Sequence, residues 1–442
     1  MISFSLPGFP SLGLSPLFCA GAHLFPKGEN AMLHLLEDDP AVAQLIRKEE
    51  SRIENTLDLI AAENHPPLSI LEAVGSILNT KTIEGYPGRR FHAGCKYVDQ
   101  IERLAISRAK GLFGAEYVNV QPHSGTSANL AVFFSVLEPG DRILAMSLPH
   151  GGHLSHGHAA SITSKCFSFR HYGVDSATER IDYDDIRRIA DEFRPRMIVV
   201  GASSYPRVID YEKMAGIAGD VSAYLFADMA HIGGLVAAKA IPSPVPYSDF
   251  VTFTCYKTMM GGRGGVILCK EQYGKKIDKA VFPGCQGTSA VNFIAAKAII
   301  FKLALEPRFV EIQGNTLTNA ASLAQKLETK GYRIVTGGTE THQVIVDLAP
   351  KGITGGEAEI ILESVGIITN RNVIPRDALR PGTVSGIRLG TAAVSTRGMG
   401  EAEIARIAAL IDGALTNRSR QEDLNRTARS VSELCREFPV YG

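Results

Sequence analysis

Short apolar runs alternate with amphipathic stretches through the middle of the chain. Between residues 117 and 268 the β-rich runs are, in order, YVNVQ, RILAM, MIVVG, YLFAD, FVTFTC and GVILC, and the stretches between them include candidate helices at 182–192 and 211–221. This alternation predicts a mostly parallel sheet with crossover helices. Ligands of such sheets bind at the carboxyl ends of the strands, so polar side chains at those ends are candidates for chemistry.

The pattern changes on both sides of this region. Before it, apolar residues recur at near-helical spacing among many charges, which predicts an amphipathic arm helix that packs on a partner subunit or a neighbouring domain. These residues are Val42, Leu45, Ile46, Ile53 and Leu57. After Pro307 a long helical stretch leads into YRIVT, HQVIVDL, a helix at 355–365, SGIRLG and further helices. This mixture predicts a smaller α+β domain.

The patterns divide the 442 residues into four expected segments. These are an extension at 1–31, the arm helix at 32–57, a large domain at 58–310 and a small C-terminal domain at 311–442. The extension is apolar and rich in Pro and Gly, but it has no basic n-region, no cleavage pattern and no unbroken membrane-spanning run. We therefore expect a disordered addition or an overlong gene model rather than a targeting peptide.

Composition limits the class of partner. Lys plus Arg (46) balances Asp plus Glu (46), so no basic field attracts nucleic acid or a membrane surface, and a small polar ligand is expected. The 7 cysteines are scattered, without a C-x-x-C pair or metal-like spacing. This predicts reduced thiols in a cytoplasmic protein.

Two polar residues occur at the ends of predicted core strands. Asp228 ends YLFAD and Lys257 follows FVTFTCY. Pyridoxal phosphate needs such a pair, because an anion against the pyridine nitrogen keeps the ring an electron sink, and a partly desolvated lysine forms a Schiff base with the aldehyde. Either residue alone is more commonly a salt bridge or a surface group. Together they predict a pyridoxal phosphate site.

A phosphate group needs backbone amides, and QPHSGTSAN supplies them where a strand turns into a helix. Ser124, Gly125 and Thr126 would offer hydroxyl and N–H groups at the positive end of that helix. Such residues are usually only helix caps. The hypothesis therefore depends on their position in the chain before Asp228 and Lys257.

The segment HGGHLSHG places His150, His153 and His156 three residues apart, which raises a metal hypothesis. No Asp, Glu or Cys accompanies the triplet in the sequence, and metal-binding histidines need such partners. We therefore predict no metal, and instead an imidazole stacked on the cofactor ring.

Two charged residues elsewhere are further candidates. Glu84 lies beside a rigid Gly/Pro turn in TIEGYPGRRFHAGC, where the alternative is a plain surface carboxylate. Arg388 lies in SGIRLG, where its guanidinium fork suits a substrate carboxylate. For Arg388 the alternative is a domain-interface ion pair.

With these residues in view, the sequence resembles the serine hydroxymethyltransferase family from roughly residue 32 to the terminal FPVY. The matching stretches are EGYPGRR, NVQPHSG, HGGHLSHG, IDY, YLFADMAH, GLVAA, PSPVPY, KTxxGxRGG, FPGxQG and SGIRLG. The resemblance implies an α/β, aspartate-aminotransferase-like fold of pyridoxal-phosphate-dependent transferases, with a mostly parallel-sheet large domain and a smaller α+β C-terminal domain. It also implies a homodimer, in some members paired into a tetramer, with the cofactor bound across the subunit boundary.

The resemblance assigns roles position by position. Lys257 resembles the lysine that holds the cofactor covalently, Asp228 the partner of the ring nitrogen, and His153 the stacked imidazole. The other implied cofactor contacts are Ser124, Gly125 and Thr126 at the phosphate, Gly287 from the other subunit, Ser203 and His231 at the phenolic oxygen, and Tyr256 beside the lysine. The implied substrate contacts are Arg388, His92 and Glu84, and the implied pterin contacts of tetrahydrofolate are Leu148, Gly151, Gly152 and Asn372.

The chain departs from the family pattern around the expected pocket. The departures are Ala62 for serine, Thr82 for tyrosine, Phe91 and His92 for a Tyr-Tyr pair, Tyr256 for histidine, Thr288 for glycine and Gly382 for phenylalanine. The retained Glu84, Asn372 and Arg388 favour conversion of serine and tetrahydrofolate into glycine and methylenetetrahydrofolate, with Glu84 handling the hydroxymethyl proton.

Two alternatives stay open. The smaller Thr82 and Ala62 make room for another β-hydroxy amino acid, so the chain could be a 2-methylserine hydroxymethyltransferase, an aldolase or a transaldolase. The alternative from another class of protein is a catalytically silent binding protein of this fold, but the retained Lys257 and Asp228 argue against it.

Overall fold

The structure, a computed structural model, describes residues 33–375, 377 and 384–441. The expected extension at 1–31 and Gly382 lie outside the described residues. The described chain falls into two compact units, one of residues 33–54 with Tyr441 and one of residues 55–440. Each unit is described by itself below.

Within the described ranges the chain forms fifteen strands and sixteen α-helices. The strands are β1 (Leu57–Asp58), β2 (Gly85–Tyr86), β3 (Arg89–Arg90), β4 (Tyr117–Asn119), β5 (Arg142–Met146), β6 (Ser168–Tyr172), β7 (Met197–Val200), β8 (Tyr224–Asp228), β9 (Phe250–Thr254), β10 (Gly265–Cys269), β11 (Arg333–Ile334), β12 (Gln343–Asp347), β13 (Ile367–Ile368), β14 (Asn370–Asn372) and β15 (Gly386–Gly390).

The helices are α1 (Leu33–Asp38), α2 (Pro40–Asn55), α3 (Leu68–Val74), α4 (Lys96–Phe113), α5 (Gly125–Val136), α6 (Ile162–Cys166), α7 (Tyr183–Phe193), α8 (Tyr211–Asp220), α9 (Gly233–Ala237), α10 (Gly274–Lys279), α11 (Val291–Leu303), α12 (Pro307–Thr329), α13 (Gly355–Ser364), α14 (Ala392–Thr396), α15 (Glu401–Thr416) and α16 (Gln421–Glu437).

Seven strands form the central sheet of the second unit, in the order β4-β10-β9-β8-β7-β5-β6. Neighbours from β9 through β6 are parallel, whereas β10 pairs antiparallel with both β9 and β4. All six apolar runs of the sequence form strands of this sheet, which confirms the expected mostly parallel architecture. The pattern does not predict β6, because its sequence SFRHY is polar and largely exposed at the sheet edge.

Both faces of the central sheet are buried. Successive side chains of a strand point to opposite faces, so Ile198 and Val200 of β7 pack in one apolar cluster, whereas Met197 and Val199 pack in another. Strands covered on both faces read as continuous apolar runs. The candidate site lies at the ends of these strands, where polar side chains such as Asp228 follow the apolar runs.

Helix starts follow capping residues in the sequence. The helices expected at 182–192 and 211–221 are α7 and α8. Each begins after an aspartate, Asp182 or Asp210, whose side chain accepts hydrogen bonds from first-turn N–H groups.

A second, antiparallel sheet has the order β11-β12-β15-β14 and shares an apolar cluster with α12, α13 and α15. The runs YRIVT, HQVIVDL and SGIRLG contribute β11, β12 and β15, as expected for the C-terminal part. Leu57 of β1, which pairs parallel with β13, is buried in this same cluster. The domain boundary at 310 stays a prediction.

In the first unit, α2 covers most of the stretch expected to form the amphipathic arm helix. Its Val42, Leu45 and Ile46 are exposed. Among the described residues, the chain has no helix with the length and apolar character needed to cross a membrane.

Candidate active site

One cavity, of about 70 Å³, opens where β8 and β9 end and α5 begins. Its lining combines residues from five separate parts of the sequence. The lining residues are Ser124, Gly125, Thr126, Asn129, His153, Ala202, Ser203, Asp228, Ala230, His231, Thr254, Tyr256 and Lys257. The fold therefore brings together residues 124–126, which we call the phosphate cup, with Asp228 and Lys257.

Asp228 is the last residue of β8 and is held by three donors. Its Oδ2 accepts from Asn129 Nδ2 at 2.8 Å and lies 3.0 Å from His156 Nε2, and its Oδ1 accepts from the N–H of Ala230 at 3.0 Å. Burial by itself would raise the pKa of Asp228, but the hydrogen bonds and the neighbouring imidazoles of His156 and His153 hold that pKa well below its ordinary value. The carboxylate is therefore an anion, which a protonated ring nitrogen requires.

The histidine segment lies beside this carboxylate. Ligand atoms of His153, His156 and Asp228 lie within 4.8 Å of one another, so the argument that no acid accompanies the triplet is wrong in three dimensions. The atoms are, however, already joined by hydrogen bonds, since His156 contacts Asp228 directly and His153 Nδ1 accepts from the N–H of Ser155 at 3.1 Å. We interpret the group as a hydrogen-bonded cluster that orients Asp228, and the absence of a metal stays a prediction.

Lys257 follows β9 and is buried. Asn64 holds its backbone by donating from Nδ2 to the Lys257 carbonyl oxygen at 3.2 Å. Burial lowers the pKa of Lys257 to about 8, with Asp228 acting in the opposite direction and Arg388 and Arg263 lowering it further. A lysine with this pKa has a usable fraction of free amine near neutral pH, which Schiff-base chemistry needs.

Helix α5 begins at the cavity with a capping box. Ser124 Oγ accepts from the N–H of Ser127 at 3.1 Å, and Ser127 Oγ accepts from the N–H of Ser124 at 2.9 Å. The capping role is therefore real, and it leaves the first-turn N–H groups of Gly125 and Thr126 without partners inside the helix. A Cβ on Gly125 would lie 2.7 Å from Thr254 Cγ2. Glycine thus lets this positive helix end approach the end of β9.

His231 and Arg388 lie at the edge of the cavity near Ser203. The His231 ring stacks on His342 with 5.7 Å between centroids, and its buried Nδ1 has no hydrogen-bond partner in the part of the chain described. Arg388 donates from Nη1 to the carbonyl oxygen of Ser203 at 2.5 Å and from Nε to Asn370 Oδ1 at 3.2 Å. Burial lowers the pKa of Arg388 to about 10, and no described carboxylate forms the alternative ion pair with it. A ligand carboxylate would supply that partner.

Besides Arg388, three residues that the resemblance assigns to the cofactor or the amino-acid substrate do not line this cavity. Glu84 is half-buried, and His92 and Gly287 are exposed. A Cβ added at Gly287 would meet no atom within 4 Å. In a single chain, these residues are not brought to Lys257.

Two of the departures from the family pattern meet at a second cavity, of about 430 Å³. Thr82 and Thr288 both line it, and Thr288 Oγ1 accepts from the N–H of Ile83 at 2.7 Å. Phe91 is exposed and packs edge-on against Phe282, with 5.7 Å between centroids. The departures therefore do not share one pocket within the chain.

The residues implied for the pterin lie around the loop at 148–152. Gly151 has a φ of +111°, which favours glycine, and both Gly151 and Gly152 are buried. Asn372 and residues 149–150 line one small cleft, and Leu148 is exposed. These residues thus adjoin one another, but they do not line the cavity of Lys257.

Asn129 and Arg263 are among the residues at the site that were not singled out from the sequence. Asn129 donates from Nδ2 to Asp228 and to Ser155 Oγ, and its Oδ1 accepts from Thr252 Oγ1 at 2.6 Å. In the sequence, Asn129 could have been recognised as a polar residue inside the apolar stretch ANLAVFF. Arg263 stacks its guanidinium 4.4 Å from the centroid of the Tyr256 ring, and its signal was the segment KTMMGGRGG.

The donor set fits pyridoxal phosphate. A desolvated amine, a charged carboxylate and unpaired helix-start amides line one cavity, and His231 offers a buried nitrogen without a partner. A mostly parallel sheet with these groups at its strand ends defines a pyridoxal-phosphate-dependent enzyme of the aspartate-aminotransferase-like fold. In a comparison with family models, the model for serine hydroxymethyltransferase matches residues 35–411. The chain belongs to the serine hydroxymethyltransferase family, whose chemistry is of the hydroxymethyltransferase and aldolase type.

Proposed function

We propose that this chain interconverts serine plus tetrahydrofolate with glycine plus methylenetetrahydrofolate. The observation that carries the proposal is the half-buried Arg388, whose guanidinium has no carboxylate partner among the described residues and lies beside the cavity of Lys257 and Asp228. A bidentate contact with an amino-acid carboxylate would neutralise it. A carboxylate at Arg388 and an amine that forms a Schiff base where Lys257 lies together fit an α-amino acid as the substrate.

The bound cofactor would supply the electron sink for cleavage of the bond to the hydroxymethyl carbon. Lys257 would hold it and exchange a proton at Nζ, because its lowered pKa of about 8 makes both protonation states available. Asp228 would keep the nitrogen of the cofactor's pyridine ring protonated. Burial lowers the pKa of His153 to about 4, so its neutral imidazole would stack on that pyridine ring.

The remaining cofactor contacts follow from the cavity lining. The N–H groups of Gly125 and Thr126 would bind the phosphate, with Ser124 capping the helix behind them. Ser203 and His231 would contact the phenolic oxygen.

We propose that the functional form is a homodimer. Glu84, His92 and Gly287 lie away from their own chain's cavity, so they would act in the partner's site, Gly287 at the phosphate and Glu84 on the hydroxymethyl proton. The exposed apolar residues of α2 fit a subunit contact. Tetrahydrofolate would bind against residues 148–152 and Asn372.

A panel of amino acids, each with and without tetrahydrofolate, tests the reaction. We expect serine cleavage to depend on tetrahydrofolate, and glycine plus tetrahydrofolate together to produce a new long-wavelength absorbance band. Rapid folate-independent cleavage of 2-methylserine or threonine, with no response of the glycine spectrum to folate, would contradict the proposal. Thr82 and Ala62, smaller than the family's residues, make those substrates the second candidate.

Glu84→Gln separates the folate-dependent step from cofactor binding. The amide keeps the side chain's size but cannot hold or deliver the hydroxymethyl proton. We expect normal cofactor absorbance and loss of folate-dependent transfer. Unchanged transfer would remove Glu84 from the mechanism.

The alternative of a silent binding protein is tested on the purified chain. Wild type should carry the absorbance of lysine-bound cofactor, and Lys257→Ala should lose it. Wild type that binds no cofactor would exclude the enzymatic proposal.

A further inference from the structure

A buried lysine outside the proposed catalytic set lies behind the phosphate cup. Lys297, on α11, is 1% exposed. Its Nζ donates to the carbonyl oxygens of Val120 at 2.6 Å, Pro122 at 3.1 Å and Gly265 at 2.9 Å. An ammonium has three N–H groups and a neutral amine has two. Only the charged form of Lys297 therefore fills all three contacts.

These carbonyl groups belong to both segments that shape the start of α5. Pro122 lies two residues before the helix cap Ser124, and Gly265 opens β10. A Cβ on Gly265 would lie 2.2 Å from the Ser124 carbonyl oxygen, and one on Gly264, whose φ is +130°, would lie 2.7 Å from Lys297 Nζ. Gly264 thus leaves room for the Lys297 side chain, and Gly265 leaves room for the carbonyl group of the helix cap Ser124.

The charge of Lys297 is not neutralised by an ion pair within the described ranges. The carboxylate of Glu102, whose charge raises the pKa of Lys297, is occupied by Arg90, which donates to Oε2, and by Gln121, which donates to Oε1. The neighbouring thiol of Cys255 is neutral, because burial raises its pKa to about 12. Burial lowers the pKa of Lys297 to about 8, so the ammonium is the main form at neutral pH.

Burying a cation costs free energy because it loses its hydration, and a nearby anion would offset that cost. The carbonyl oxygens at 120 and 122 would also repel an anion bound at the helix start if their partial negative charge were not offset. Lys297 offsets it, and at the same time holds these carbonyl groups in one orientation.

We propose that Lys297 is a positioning residue for the cofactor's phosphate. Its ammonium fixes the backbone behind the helix cap and adds positive charge behind the first-turn amides of Gly125 and Thr126. This inference rests on the proposed pyridoxal phosphate site. It predicts that Lys297 contributes to the affinity for the phosphate-bearing cofactor and not to the affinity for the ring.

The test compares pyridoxal phosphate with pyridoxal, which has the same ring and aldehyde but no phosphate. Both are titrated by absorbance into the full-length apoprotein of wild type, Lys297→Met and Lys297→Gln at pH 7. We expect Lys297→Met to raise the Kd for pyridoxal phosphate on the order of tenfold or more, the size of effect expected when a charged hydrogen-bonding group is removed. The Kd for pyridoxal should stay close to that of wild type.

Lys302→Met is the matched control, because Lys302 lies on the same helix but is exposed. It should change neither Kd. Circular dichroism checks the folding of each variant. If Lys297→Met does not fold, the two Kd values of Lys297→Gln, which keeps amide donors but has no charge, replace those of Lys297→Met in the comparison. Equal losses for both ligands, unchanged affinities, or failure of both variants to fold would overturn the proposal. A wild type that binds neither ligand would instead refute the proposed cofactor site.

Discussion

At the scale of single residues, neighbouring donors decide the charge of Asp228. Burial favours the neutral acid, whereas hydrogen bonds from His156 and Asn129 favour the anion, and the hydrogen bonds prevail. The position of this residue at the end of β8 makes it available to a ligand. The donors around Asp228 keep its carboxylate ionised, so that it can stabilise a protonated pyridine nitrogen of the cofactor.

Asp228→Asn tests this charge. The amide keeps the size of the side chain and can still accept from the N–H of Ala230, but it cannot stabilise a protonated ring nitrogen. We expect kcat for serine to fall about 10²–10³-fold, the cost of losing one preorganised electrostatic group. Steady-state kinetics measure the loss, and retained cofactor absorbance is the control. A kcat near that of wild type would argue against this role.

The pKa of Lys257 predicts the pH dependence of cofactor loading. The free amine attacks the aldehyde, so the loading rate should rise about tenfold per pH unit below a pKa of about 8 and level off above it. The imidazole of His153, with a pKa of about 4, does not titrate in this window. Stopped-flow absorbance after mixing apoprotein with pyridoxal phosphate measures the rate. A rate still rising at pH 10, as for an unperturbed lysine, would contradict the prediction.

At the scale of elements, helix α5 connects the two ends of the site. Its first turn faces the proposed phosphate position, and Asn129, one turn later, holds Asp228 and contacts Ser155 and Thr252. The phosphate and ring partners are therefore placed by one rigid element.

Asn129→Leu is expected to weaken both stability and cofactor binding. It leaves buried polar partners unsatisfied, so the free energy of unfolding should fall by about 1–3 kcal/mol, and the pKa of Asp228 should rise because one donor is lost. Urea denaturation and a cofactor titration measure the two effects. Ser135→Ala, on the same helix, removes only a local bond to the Val132 carbonyl oxygen and serves as the control. Wild-type stability of Asn129→Leu would show that this network contributes little.

At the scale of the whole molecule, the single chain brings most of the proposed cofactor contacts together, but not the proposed phosphate contact Gly287 and not the proposed substrate group Glu84. Lys257 and Asp228 share a cavity, whereas Glu84 and Gly287 lie elsewhere. A site completed by a second subunit explains this separation. A shared site of this kind also predicts that two inactive variants can complement each other in a mixed dimer.

Mixing Lys257→Ala protein with Glu84→Gln protein should restore activity. If Glu84 serves the partner's site, each mixed dimer has one intact site, and equal amounts with free exchange give about a quarter of wild-type activity. Lys257→Ala mixed with Asp228→Asn is the control. Both residues belong to the same chain's cavity, so no mixed dimer has an intact site. Absence of recovery in the first mixture would place Glu84 in its own chain's site.

The sequence by itself determined six of the seven strands of the central sheet and the placement of Asp228, Lys257 and residues 124–126 at strand and helix ends. Apolar periodicity and capping residues are local signals, so they can be read over a few positions. The polar edge strands β6 and β14 carry no such signal and were not found.

Only the tertiary structure decided how these parts meet. The contact between Asn129 and Asp228 joins residues 99 positions apart, and the approach of His156 to the same carboxylate corrected the argument made from the histidine spacing. The antiparallel direction of β10 and the buried ammonium of Lys297 behind the helix cap are of the same kind. Charge states and contacts of this sort depend on which distant groups the fold brings within hydrogen-bond range, and no local pattern records that.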